Sequence, residues 1–178
     1  MLDFIARTLI RKTDAPGLDE EIGNWAGAFY KEMTQLNLRE FESFDANAVQ
    51  RFFPLHPAVA LMLPELCVRF AQNDRTLFAF LCSGEPRALP NFLSLQNIDP
   101  EAGRLATMGP DRLYDYFLSS ASGAFMNRPE SGRWVEIHSL IEGAKHLPEA
   151  EYRVLKIIGL LNLISGHSGF RASENMLR

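Results

Sequence analysis

The sequence predicts an all-α fold, a helical bundle of about eight helices. Three observations carry this expectation. Apolar residues recur at helical spacing, and prolines, glycines and capping residues fall between the periodic stretches. No stretch shows sustained period-2 alternation or an Asn-Gly hairpin turn. The 178 residues, 47% hydrophobic and 22% charged, have the composition of a folded globular chain.

A short helix is expected over Leu2 to Arg11. Leu18, Ile22, Trp25, Ala26, Phe29, Met33 and Leu36 then form one apolar stripe, with Asp19, Glu20, Asn24, Lys31, Glu32 and Gln35 on the polar face. Pro16-Gly17 punctuates its start, and Asp19 and Glu20 suit the positive end of the helix dipole. Asp45 can cap a helix that runs to Phe53, where Pro54 stops it. His56-Pro57 opens the segment Ala58 to Phe70. Pro64 inside it removes a helical hydrogen bond, which predicts a kink or break near residue 63. Asn73 caps Asp74 to Ser83, Gly84 ends that helix, and Pro90 begins a short one reaching Leu95.

Asn97 to Gly109 and Gly123 to Gly132 read as loops. Between them, Asp111 to Ser120 places Leu113, Tyr114, Phe117 and Leu118 on one face, and Trp134, Val135, Ile137, Leu140 and Ile141 mark the next helix. Pro148 opens Glu149 to Ser165, which is apolar at nearly every position from Val154 to Ile164. Such a helix needs neighbours on several sides. Ala172 to Arg178 begins one more helix, too short to cover it. Self-association through residues 154–177, or closure by a larger protein, is the expected remedy.

Several function classes are disfavoured. A net charge of -4 gives no basic field, so a nucleic-acid partner is not expected. Met1 to Lys12 lacks the features of a targeting signal, and the densest apolar run, Ile157 to Ile164, is too short to span a bilayer. No membrane partner is expected, and the cytoplasm is the expected compartment. The lysines are Lys12, Lys31, Lys145 and Lys156, and none follows a glycine. The chain therefore lacks the phosphate-cradling Walker A loop, and it also lacks the apolar strand ending in Asp-Glu of Walker B. It is not expected to be an enzyme, and no cofactor is expected on this chain alone.

His138 and His146 lie eight residues apart with Glu142 four from each, so Glu142 with either histidine is conceivable as a ligand pair. The plainer reading is a solvated helix face. Cys67 and Cys82 fall within apolar helical runs and read as small buried hydrophobes.

Three stretches taken together resemble a known family. They are FPLHPAVALMLPELCVRFAQNDRTLFAFL from Phe53 to Leu81, LYDYF from Leu113 to Phe117, and Tyr152 to Arg171 with VLKIIGLLNLI followed by GFR. In this order they resemble the region after the nucleotide-binding core of large prokaryotic P-loop ATPases of the AAA+/STAND class, often associated with phage defence or mobile elements. The resemblance implies a lid-like lobe over 54–148 and an incomplete winged-helix-like start over 149–178, following an N-terminal helical segment over 1–53; one continuous domain is the alternative division. It implies a non-catalytic module that couples nucleotide state or contacts a partner, with ATP and Mg bound only if a nucleotide-binding core completes it. In such lids an arginine at a helix start, sensor 2, reaches the γ-phosphate. Arg75, after Asn73, matches by position, and Arg87 in Gly84-Glu85-Pro86-Arg87 is its competitor. The alternative is a free-standing helical interaction or dimerisation protein.

Overall fold

A computed structural model describes residues 1–9, 16–36, 41, 44–70, 74–96, 105–120, 131–165 and 172. Among the described residues there are nine helices and no sheet: α1 Leu2–Thr8, α2 Leu18–Leu36, α3 Ala46–Phe52, α4 Pro57–Phe70, α5 Asp74–Cys82, α6 Leu89–Ser94, α7 Pro110–Ser120, α8 Ser131–Gly143 and α9 Glu149–Ile164. The fold is all-α, as the periodicity predicts.

The stripe of α2 turns inward. Leu18, Ile22, Ala26 and Met33 are buried, while Trp25 and Phe29 are half-buried. The helix packs on α3, whose N-cap Asp45 accepts a 2.7 Å hydrogen bond from the Ala48 amide. That bond satisfies one of the amides left without an intrahelical partner.

The central element is α4, which packs against α1, α3, α5, α7 and α9. Val59, Ala60, Met62, Leu63 and Leu66 are fully buried, so this helix is apolar nearly all round because it has neighbours nearly all round. The break expected at Pro64 does not occur: α4 runs on through Phe70. One missing backbone hydrogen bond is outweighed by the burial of Leu63, Leu66 and Cys67 on either side of it.

A short parallel bridge joins Leu55 to Met108. The Met108 amide donates to Pro54 O at 2.8 Å, and the His56 amide donates to Met108 O at 3.1 Å. This pins the entry of α4 to the entry of α7.

On the far side, α7 and α8 both pack on α9. A Cβ at Gly159 would fall 2.8 Å from Ile141 Cδ1 and 2.9 Å from Ile137 Cγ2, so the glycine is what lets α8 approach this closely. The C-terminal half of α9 is covered by its own chain. Leu160, Leu161 and Ile164 are at 0% exposure and Leu163 at 4%, while in its first half Val154 is exposed at 36% and Leu155, Ile157 and Ile158 are half-buried. The helices before α9 cover more than one side of it. One core cluster runs from Ile5 on α1 to Ile164 on α9. The loop Gly123 to Gly132 (except the start of α8) and the helix expected from Ala172 lie outside the described residues, Ala172 itself excepted.

Candidate functional site

Two ion pairs with buried or half-buried carboxylates lie on the seam between α7 and α9. Asp111 and Asp115 are four apart on α7, and Arg153 and Lys156 are three apart on α9, so each pair lies on one helix face. Arg153 Nε donates to Asp111 Oδ2 at 2.8 Å, and Lys156 Nζ lies 2.8 Å from Asp115 Oδ1. Asp111 is buried, at 2% exposure. The hydrogen bond and charge of Asp111 hold the Arg153 guanidinium above its ordinary pKa. Lys156 also stands over the Tyr152 ring, 4.7 Å from its centroid.

Asp111 makes its contacts through one oxygen only. Arg112 Nε is 3.8 Å from the same Oδ2, whereas Oδ1 is buried with no hydrogen-bond partner among the described residues. Gly109 makes room for that oxygen, since a Cβ there would stand 2.7 Å from Oδ1. Pro110 begins α7 without an amide hydrogen, as suits a first-turn position.

The seam continues onto α8. Tyr114 Oη and His138 Nδ1 are 2.9 Å apart. Burial, above all, pushes the Tyr114 hydroxyl well above the ordinary phenol range, and the charges of Tyr152, Glu142 and Asp115 add to it. Glu142 accepts from Lys145, and that hydrogen bond holds the Glu142 carboxyl below its usual pKa. His146 sets Nδ1 3.2 Å from Gly143 O. His138, Glu142 and His146 thus each have a hydrogen-bond partner of their own among the described residues. Among the described residues no group of three metal-ligating side chains is assembled.

A half-buried histidine sits at the bridge. The His56 Nδ1 accepts from the Ala58 amide at 3.2 Å, and its ring meets Phe29 edge-on at 4.7 Å between centroids. Burial lowers its pKa to about 4, and the negative charge of Asp111 opposes that shift. A histidine followed by proline reads from sequence only as the start of a helix.

The nucleotide-sensing candidates are placed differently from one another. Arg75 lies exposed in the first turn of α5 and makes no ion pair among the described residues. Arg87 has a positive φ of 68°, donates its amide to Asn91 Oδ1 at 3.0 Å and its guanidinium to Asp115 O at 3.1 Å. It ties the turn before α6 to α7, so its side chain is committed within the fold. No hydrogen bond joins Arg75 to Arg87 among the described residues, and Asn73 lies outside them. Cys67 is buried as expected, but Cys82 is exposed, at the last turn of α5 where the helix face turns to solvent.

The seam residues Asp111, Asp115, Arg153 and Lys156 were not singled out by sequence. Their only signal is two helical spacings, one acidic and one basic, about 40 residues apart. Together with the fold, the seam defines an all-α protein in which paired charges join α7 to α9. No family model, curated protein or solved structure matches the chain. Among the described residues no helix is long and apolar enough to cross a membrane.

Proposed function

We propose that this chain is a non-catalytic helical module of, or derived from, a P-loop ATPase, and that it couples nucleotide state to contact with a partner. The observation that supports this reading is Arg75. A guanidinium in the first turn of α5, exposed and without an ion pair among the described residues, is available to an external phosphate. Arg87, held on Asp115 O, is not available in this way. The role therefore falls to Arg75. ATP and Mg would be bound by a separate nucleotide-binding core, because the chain carries no lysine at the end of a glycine-rich loop.

The test is capture of the tagged chain from its own cells with and without ATP, followed by hydrolysis measurements on the complex. The expected outcome is co-purification of a polypeptide bearing Walker A and Walker B sequences. Arg75→Ala should preserve the complex and slow its turnover by about ten-fold or more. Isolation of the chain alone or only as a self-associated dimer overturns the reading, as does unchanged turnover in the variant.

A further inference from the structure

The buried carboxylate of Asp111 gathers two guanidinium groups and carries one negative charge. Arg153 Nε and Arg112 Nε lie 2.8 and 3.8 Å from the same Oδ2, so the two cations are neighbours. Their side chains are 54% and 53% exposed. Each guanidinium carries five N–H donors, and neither arginine makes another hydrogen bond or ion pair among the described residues. One turn further along α7, Lys156 and Arg87 meet Asp115. Three cations from two helices thus meet two carboxylates, with Arg87 on the Asp115 backbone carbonyl beside them, on a chain whose net charge is -4. Glu149 acts on Arg153 through space, and Glu85 accepts from Tyr116 Oη at 3.0 Å through Oε2.

We propose that Arg112 and Arg153 form an anion site for the phosphate group of a soluble small molecule. A planar carboxylate is satisfied by one guanidinium fork, whereas a tetrahedral oxyanion presents oxygens to two forks approaching from different directions. The positive end of the α7 dipole beside Arg112 adds to the attraction. Asp111 is the positioning residue. It holds Arg153 by Nε, and the terminal nitrogens of that fork make no hydrogen bond among the described residues. This site is separate from the role given to Arg75 and stands or falls independently of it.

Calorimetric titration of the full chain at low salt, with inorganic phosphate, pyrophosphate and acetate as probes, tests the assignment. Saturable binding of pyrophosphate, tighter than phosphate and much tighter than acetate, is expected. Arg112→Gln, at an exposed position, should weaken it about ten-fold with an unchanged circular dichroism spectrum. Arg153→Lys should weaken it as well, because it keeps the charge and loses the fork. Lys145→Gln, paired with Glu142 on the α8 end, should leave it unchanged. Absence of saturable binding, equal binding of acetate, or undiminished binding in Arg112→Gln overturns the proposal. So does preferential binding to phosphatidic acid vesicles over pyrophosphate, which would make the ligand a lipid surface.

Discussion

The two flanks of α4 are held by different physics. On the side of α1, α2 and α3, rings do the packing: Trp25 meets Phe53 edge-on at 5.8 Å and stacks on Phe29 at 6.2 Å, and Phe44 meets Phe52 at 5.5 Å. On the side of α7 and α9, rings pack as well, with Tyr114 stacked on Trp134 at 5.8 Å. Here, however, two ion pairs with buried or half-buried carboxylates cross the interface, whereas the Arg51–Asp3 pair of α3 and α1 is exposed. Ring burial is proportional to area and nearly non-directional, so it fixes that the helices meet more than how they slide. Paired charges with fixed spacings on each helix satisfy one register, and a shift by one residue separates both pairs at once. The difference teaches that both flanks supply adhesion and that the α7–α9 flank adds alignment.

Three changes would break or sharpen this contrast. The largest effect is expected from Phe52→Ala, at 3% exposure among rings, which should cost about 4 kcal/mol in urea denaturation through lost burial and a residual cavity. Acidification comes next. His56 binds a proton more weakly in the folded chain, at about 4, than at its ordinary 6.5, so the unfolded chain takes up the proton first. The stability it contributes is complete above pH 6.5 and is lost as the pH falls toward 4, by up to about 3 kcal/mol. His56→Gln should flatten that part of the stability profile relative to the wild-type chain. The smallest effect belongs to the seam. Lys156→Met leaves Asp115 half-buried without its cation and should cost about 2 kcal/mol, and adding Asp115→Asn should recover most of the loss. Additive losses in the double variant would show that the pair is not coupled and that alignment comes from the apolar contacts alone.

What the sequence made legible was local. The stripe from Leu18 to Leu36 predicts α2 because helix periodicity is written in consecutive residues, and Asp45 predicts the start of α3 because a cap acts three residues away. Pro64 misleads for the same reason: its local cost is plain, while the burial that outweighs it comes from five other helices. The apolar run of α9 correctly calls for surrounding neighbours. Its sequence could not say that α4, α7 and α8 already supply them. The Asp111 and His56 environments were illegible, because each depends on residues brought together across the Leu55–Met108 bridge.

That bridge also makes the chain from Leu55 to Met108 a closed loop, containing α4, α5 and α6 and fastened at its base by backbone bonds in both directions. Closing a loop costs entropy that grows only with the logarithm of its length, about 0.6 kcal/mol for each doubling. In chain order, the connecting residues between Ser94 and Met108 belong to this loop. Extra residues there lengthen a ring that is already long, without loosening its clasp. The fold is therefore built to accept variation in that connection while α4 and α7 keep their places. Insertion at the clasp itself, between Pro54 and His56, would instead put the backbone bonds to Met108 out of step.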